Sequence, residues 1–459
     1  RFSNTRLTFD GPDNQLAFDG SSAPPNGQFR TSLGRLTLID SRAGDAIADF
    51  RPFINSGPNT DRFNFNPFED LLQNSRRLTL FGNGQWYAGD TLTLHAEAFY
   101  HRRDSSQQLA PLPFFTTRLA NVMVSADNAF NVFDERIADV RRRLVEAGPR
   151  RFIQDNQAWR VVLGADGRIG QWYWDAAINH GRNETDQRQT GDLLADRVRR
   201  ALGPSFIDAG GQARCGRPDA PLDDCVPLNL FGPPGSITDA MLADIGADLD
   251  DSGFNEQTVF DANLSGDLLQ LPAGMLALAA GVEWREERGA DRPDPQSRAG
   301  NTTGAARAFT RGAFDAAEAY LELGVPLLAD QALARRLDLD LGGRVVRFNN
   351  FGTESVFEVG LGWQPLERFS LRASWSEAFR APNIGELFGG QAQANPIVLD
   401  PCADFGALSS IAIERCIAQG VPADGSFRQN GEETPELLGG NPGLKPERGE
   451  ILTVGLGWL

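Results

Sequence analysis

Lysine is almost missing from this chain. Lys445 is the only one, and arginine supplies every other permanent positive side-chain charge. That bias reads as genomic base composition. Positive charge is also in deficit: the formal net charge is −17 and the pI about 4.7. Capture of nucleic acid or of an anionic membrane surface by bulk electrostatics is thereby excluded. Long apolar runs are missing too. No stretch of about 20 apolar residues occurs, so no segment can cross a membrane as a helix. The chain opens on Arg1-Phe2-Ser3 without a leader-like segment and ends on the strand-like Leu452–Leu459. Both ends look cut, and an internal piece of a longer protein is expected. Catalytic signatures are absent: there is no GxSxG, no HExxH and no phosphate loop. Carboxylates are so frequent that a pair of them says nothing about glycoside hydrolysis. The chain reads as non-enzymatic and without a cofactor.

Cysteine is scarce but paired in sequence, as Cys215/Cys225 and Cys402/Cys416. Neither pair is a CxxC, and His95, His101 and His180 lie in other segments. Zinc would want four ligands at short spacings. Two local disulfides in an oxidising compartment fit better than metal or free thiols. The run Asp248-Leu249-Asp250-Asp251-Ser252-Gly253 resembles the start of a calcium loop. Its twelfth position is Val259, where a bidentate Glu is required, so a solvated turn is the better reading.

What the chain has is alternation. In Phe369–Ser376, Phe369, Leu371, Ala373 and Trp375 fall on one face and Ser370, Arg372, Ser374 and Ser376 on the other. Period 2 means a strand with one apolar and one polar face. Its hairpin partner is Phe357–Trp363. The same rhythm recurs at Leu78–Trp86, Leu92–Tyr100, Trp159–Gly164 (with a turn near Ala165-Asp166-Gly167), Trp172–Ile178, Phe260–Leu268, Leu276–Trp284, Phe314–Val325 and Leu337–Phe348, with Pro326 in a connector. About eleven strands are predicted, each near the roughly 9–11 residues of a tilted membrane-spanning strand. Connections alternate short and long, except near Asn349–Glu354, which is short where a long one is due. Residues 1–75 read as mostly irregular and as extracellular loop, with short strand-like runs at Arg6–Phe9 and Arg35–Ile39. Within the long excursions, Asp134–Ala147 has helical spacing with Gly148-Pro149 as a stop. Ser236–Leu249 reads as a helix capped by Ser236 or Thr238.

Short turns at one end, long loops at the other, and one apolar strand face describe an all-β, antiparallel outer-membrane barrel. A soluble β domain rarely carries repeated structureless loops of this length. Trp86, Trp172, Trp174, Trp284 and Trp458 are placed at or near strand ends, as an aromatic girdle would be. Cross-strand packing in a soluble sheet is the alternative, and the loop alternation favours the girdle. Polar-face charges such as Glu97, Asp175, Glu283, Arg285, Glu318, Glu322 and Arg372 would line a lumen, as a substrate path or simply as a hydrated wall. Leu80, Leu94, Leu278 and Leu371 would face lipid.

Two motifs carry a family resemblance. Ser374-Trp375-Ser376-Glu377-Ala378-Phe379-Arg380-Ala381-Pro382-Asn383-Ile384-Gly385-Glu386-Leu387-Phe388 resembles the Y-S-x-G-F-R-A-P-x-x-x-E-L-F signature of the TonB-dependent outer-membrane receptors, with Trp375 for Tyr and Ala378 for Gly. Asn441-Pro442-Gly443-Leu444-Lys445-Pro446-Glu447 matches that family's N-P-x-L-K-P-E ahead of a barrel strand. Ser105–Pro111, Arg142–Arg150 and Cys225–Gly232 are similar to loops of the large-loop branch. The resemblance implies a 22-stranded barrel around an N-terminal plug in the outer membrane of a Gram-negative bacterium. It also implies a small nutrient ligand (siderophore, cobalamin, oligosaccharide or peptide) and energy from the TonB–ExbB–ExbD complex through a TonB box. No plug, TonB box or terminal strand is found, so residues 76–459 are expected to be a barrel segment contacting outer-membrane lipid, without nucleic acid. The signature residues Ser376, Phe379, Arg380, Ala381, Pro382, Glu386, Leu387, Phe388, Asn441, Pro442, Leu444, Lys445, Pro446 and Glu447 are expected to shape strand ends and loop entry. Trp174, Phe388 and Arg428 are the candidate ligand contacts. A plugless porin or adhesin barrel is the alternative, followed by a soluble β-rich glycan-binding protein.

Overall fold

The computed structural model describes residues 5–8, 15–18, 20–57, 59–119, 122–394, 396, 398, 400–403, 405–427 and 436–458. Arg428 lies outside the described residues, as does Phe9 of the first strand-like run. The dominant unit is one antiparallel sheet of eleven strands in sequence order. We number these strands alone, and name the smaller ones by residue. They are β1 (Asn74–Tyr87), β2 (Leu92–Leu109), β3 (Arg150–Ile169), β4 (Trp172–Leu193), β5 (Gly246–Leu271), β6 (Gly274–Arg292), β7 (Thr310–Gln331), β8 (Ala334–Phe348), β9 (Gly352–Leu366), β10 (Phe369–Arg380) and β11 (Glu447–Trp458).

Five tight turns join β1–β2, β3–β4, β5–β6, β7–β8 and β9–β10 at one end. Residues 110–149, 194–245, 293–309 and 381–446 form long connections at the other, where 349–351 is the one short link. Eleven is odd, so β1 and β11 both run from the long-loop end to the short-turn end. Their outer edges are unpaired among the described residues. Joining them directly would make a parallel pair. An all-antiparallel closure needs an odd number of further strands.

The strands are longer than the 9–11 residues expected; β5 has 26. Positions 183–193 and 246–257, beyond the apolar alternation of Trp172–Ile178 and Phe260–Leu268, are also ladder. Hydrophobic alternation stops where both faces are wet, but main-chain pairing continues there. Polar side chains take over the cross-strand contacts: Gln154 to Gln187 at 2.6 Å, Asn156 to Thr185 at 2.6 Å and Arg182 to Glu256 at 2.7 Å. Asp248–Gly253 is part of β5. Asp248 accepts from Arg188 (2.7 Å) and Asp251 from Arg307 (2.9 Å). It is therefore neither a calcium loop nor a turn.

Two turns differ from expectation. Ile169 pairs with Trp172, so the β3–β4 turn is Gly170-Gln171, with Gly170 at φ +65°; Asp166 and Gly167 remain in the ladder. Left-handed φ suits glycine in a two-residue hairpin. Pro326 does not end β7. It sits at a register shift between Pro326 and Leu328, where a missing donor is tolerated.

Registers confirm the two faces. Leu80, Leu94, Leu163, Ile178, Phe260, Val282, Leu321, Val345, Val359 and Leu371 share the apolar face. Trp86, Trp172, Trp174, Trp363 and Trp458 mark its short-turn border, where the Trp363 indole donates to the Leu333 carbonyl (2.9 Å) and Trp458 meets Phe369 edge-on. Trp284 is not near a strand end. It stands mid-strand opposite Phe260; like Trp159 on β3, it lies ten residues from the short-turn end of its strand, and the two mark a second aromatic border. The two borders are roughly ten residues of tilted strand apart, about the 25 Å apolar band of an outer-membrane barrel.

The long loops build a lobe with its own core. A five-stranded sheet runs in the order Phe50–Pro52, Gly34–Leu38, Gln28–Thr31, Val140–Arg143, Pro113–Phe115. Its core joins Phe29, Leu38, Phe114, Ile137 and Leu144 to Val198, Leu228, Leu230, Phe231 and Ile245. Asp134–Ala147 is therefore not a helix. Its periodic residues serve a strand and a 3₁₀ turn, because Val140 and Arg141 complete ladders to Phe29 and Phe115 that no local helix could satisfy. The second loop helix does form, as Asp239–Ile245. The Thr238 hydroxyl accepts from the Met241 amide (3.3 Å), and the helix ends where Gly246 starts β5.

Candidate functional site

The polar face of the sheet is where chemistry gathers. Asn263 on β5 links neighbours on both sides: its amide donates to Asp175 on β4 (2.8 Å), and it accepts from the Tyr320 hydroxyl on β7 (2.9 Å). Arg344 on β8 pairs with Glu318 at 3.4 Å, and Arg160 on β3 pairs with Glu97 on β2. Toward the long-loop end lies a cavity of about 700 Å³, lined by Phe81, Phe99, Asn179, Asn183, Gln257 and Glu287. Asn179 Oδ1 and Asn183 Oδ1 have no hydrogen-bond partner among the described residues. A buried amide oxygen left this way costs free energy unless a ligand donates to it.

The mouth of this cavity is shaped by a helix from the last long loop, Ile384–Phe388. Asn383 caps it reciprocally: Asn383 Oδ1 accepts from the Glu386 amide (2.9 Å), and the Glu386 carboxylate accepts from the Asn383 amide (2.8 Å). The helix lies on the polar face. Ile384 reaches the cavity, Leu387 is 1% exposed, and Phe388 lies on Gly312 of β7. A Cβ at Gly312 would fall 2.1 Å from the Phe388 ring, so only glycine admits this contact.

The two signature motifs meet at one junction. Arg380, the last residue of β10, holds Glu386 with two contacts of 3.0 Å and Glu447, the first of β11, at 2.6 and 3.1 Å. The Asn441 amide donates to the Glu386 carbonyl (2.8 Å), Leu444 to the Asn441 carbonyl (3.1 Å). Pro442, Lys445 and Pro446 lie in the short turn leading into β11. Phe379 and Ala381 pack on the cluster of Phe314, Ala316, Val346 and Phe348, Pro382 precedes the cap, and Ser376 pairs with Glu358 and Ile451. The Arg380 guanidinium, then the Asn383 amide, hold the Glu386 carboxyl below its ordinary value. These residues thus tie off a loop of more than sixty residues at its base. Trp174 is not brought to this group. It stands on the apolar face beside the short turn, over Gly167.

Sequence reasoning missed the arginines of the loop lobe. Arg142 is 0% exposed and donates to the carbonyls of Leu230 (2.7 Å), Gly232 (2.8 Å) and Pro233 (3.2 Å) and to Glu146 (2.9 Å). Arg143 donates to the Pro111 carbonyl (2.8 Å) beneath the rings of Phe63 and Phe65. Burial, with Arg150 nearby, pushes its guanidinium down to about 10. Three family-like segments, Ser105–Pro111, Arg142–Arg150 and Cys225–Gly232, therefore converge through two side chains. Cys215–Cys225 and Cys402–Cys416 are both disulfides, with Cα atoms 5.9 and 5.8 Å apart. Spacing exposed the cysteines; nothing local marks a buried arginine among three in a row.

A family model for the TonB-dependent receptor-like β-barrel matches residues 124–459. Among solved structures, the chain is similar to the siderophore receptor PirA of Acinetobacter baumannii, at 13% identity over 97% of this chain and 52% of that one, with a TM-score of 0.42. A mutant of the ferric enterobactin receptor of Pseudomonas aeruginosa matches at 12% identity over 97% and 52%, TM-score 0.45. The ferripyoverdine receptor of Pseudomonas aeruginosa, bound to ferripyoverdine, matches at 11% over 83% and 46%, TM-score 0.39. The chain spans about half the length of these structures.

Proposed function

Because the chain belongs to the TonB-dependent receptor family through its β-barrel domain, we propose that it is half of the wall of a receptor that captures a scarce nutrient and imports it with TonB energy. The family places it in the outer membrane of a Gram-negative bacterium, as a receptor rather than an enzyme. The long-loop end is extracellular in this reading, and residues 20–73 belong to the extracellular lobe. The observation that carries the proposal is the convergence of the loops on the polar face. The helix Ile384–Phe388 folds inward over a 700 Å³ cavity of aromatic, amide and carboxylate side chains, while the continuous apolar face of the sheet points the other way. A cavity of that size suits a siderophore, a cobalamin fragment, a short oligosaccharide or a peptide. A passive pore needs no loop packed inward over its mouth.

The test is uptake. A strain lacking this gene is expected to lose import of one such nutrient. The gene restores import only while TonB is intact. Uptake that survives removal of TonB would favour a passive barrel. Titrating outer-membrane preparations with ferric siderophores, cobalamin and oligosaccharides then identifies the class.

A further inference from the structure

Residues 293–309, the connection between β6 and β7, are gripped by two parts of the protein that are far apart in sequence. On the lobe side, Asn301 caps a helix that has no side-chain cap of its own. The helix is Ala195–Ala201, and Leu194 before it offers no side-chain acceptor. The Asp196 amide donates to Asn301 Oδ1 (2.9 Å) and the Ala195 amide to the Asn301 carbonyl (3.0 Å). Two residues on, the Thr303 amide (3.0 Å) and hydroxyl both donate to Asp192, a carboxylate 2% exposed near the end of β4. Val198 and Ala201 set the helix into the lobe core.

On the other side, the same connection lies along the last long loop. The Ala308 amide donates to the Gln391 carbonyl (2.7 Å), the Gln393 amide to the Ala306 carbonyl (2.9 Å) and the Gly390 amide to the Thr310 hydroxyl (2.8 Å). The approach is close: a Cβ at Gly390 would fall 2.6 Å from the carbonyl oxygens of Ala308 and Phe309. Gly390 comes two residues after Phe388, the end of the helix at the cavity mouth. Arg307 reaches from the connection to Asp251 on β5 (2.9 Å) and Asp291 on β6 (2.8 Å). These pairs are partly open to water, so they guide the segment more than they clamp it. From Thr303 to Ala306 the chain can span at most about 11 Å. So short a tether has little slack, and movement at one grip reaches the other.

We propose that residues 293–309 are a strap that couples the loop lobe to the helix Ile384–Phe388, so that freeing the strap at its lobe end loosens the helix over the cavity. Access to the cavity is then set from the lobe, through Asn301 and Thr303, neither of which lines it. The coupling is an equilibrium property and runs both ways: prying the last loop off the strap must also loosen the helix Ala195–Ala201.

The test is amide hydrogen exchange on the complete outer-membrane protein in detergent micelles, with the β5 and β6 amides as internal reference. Two variants and their combination are compared with the parent. Asn301→Ala with Thr303→Val frees the lobe end. Gly390→Ala forces the last loop away from the strap, because its Cβ meets backbone oxygens that cannot rotate aside. The lobe-end variant is expected to quicken exchange at 384–394 by roughly five- to thirtyfold, the factor that losing one or two hydrogen bonds gives. In the Gly390→Ala background the same change should have no further effect on 384–394, since the link is already broken. Faster exchange confined to 195–201 and 301–303 overturns the coupling. So does an effect on 384–394 that persists undiminished beside Gly390→Ala, because it then travels by another route. Should the lobe-end variant fail to fold, Gly390→Ala alone decides: exchange at 195–201 must quicken, and an unchanged rate there overturns the proposal. No ligand enters the experiment, so either result leaves the receptor reading where it stands.

Discussion

Arg142 and Arg380 make similar numbers of contacts in opposite surroundings, and their loss should be felt differently. Arg142 is buried, so Arg142→Ala would strand Glu146 and three loop carbonyls away from water. Removing one partner of a buried ion pair costs about 3–5 kcal/mol. The expected outcome is early proteolytic cleavage within 110–149 and 194–245 while the strands stay protected. Arg380 is half exposed, and its junction is governed by pH. The lowered Glu386 carboxyl means that the junction's stabilisation is fully present above the ordinary carboxylate range. It is lost as pH falls through the depressed value. Hydrogen exchange at residues 383–388 should therefore quicken relative to the β10 amides when pH is brought from about 6 to about 3. Equal protection at both values would count against the junction. The burial of Arg142 was unreadable in sequence because its partners, Glu146 apart, lie in 230–236, reached only through the lobe. Arg380, Glu386 and Glu447 were readable as motif members, but their meeting was not.

At the scale of single strands, depth decides the cost of a charge. Leu321 on β7 lies within the apolar band, between Ala280 and Gly343. Leu321→Arg should destabilise the folded barrel in bilayers by about 2–4 kcal/mol. Leu371 on β10 also faces outward, but it sits two residues above the Phe369–Trp458 pair at the short-turn border. Leu371→Arg should cost only about 0–1 kcal/mol there. Urea-dependent refolding into vesicles measures both, and equal costs would refute the placement of the band. The disulfides act at the scale of the loop. Replacing Cys402 and Cys416 with serine opens a loop with a separation of 14 residues, worth about 2–3 kcal/mol in the chain-entropy picture. The disulfide-free loop should show faster proteolysis around the helix Ser410–Ala418 with no change in β10 or β11.

For the whole molecule, parity is the constraint. With β1 and β11 running the same way, the eleven-stranded sheet cannot close antiparallel on itself or on one rotated copy of itself. Open edges are not tolerated in hydrocarbon, where backbone donors find no water. Residues 76–459 expressed without further strands are thus expected to give no heat-resistant monomer in micelles, and fast amide exchange along β1 and β11. A heat-resistant monomer from that segment would contradict the topology. An antiparallel ring containing this sheet must hold an odd number of further strands.

Sequence by itself determined the eleven strands, their two faces, the end that carries the short turns and the family. Each follows from a local rule: period 2 sets the face, glycine and proline punctuate the turns, and two motifs are contiguous in the chain. Strand length was not legible above the apolar band, because hydrophobic alternation vanishes where water wets both faces while backbone pairing carries on. Only the tertiary structure turned Asp134–Ala147 from a predicted helix into a ladder strand, buried Arg142, laid Phe388 on Gly312 and joined Asn301 to the start of the helix Ala195–Ala201. All four depend on partners dozens of residues away, and burial and register are decided by those partners rather than by the neighbours in sequence.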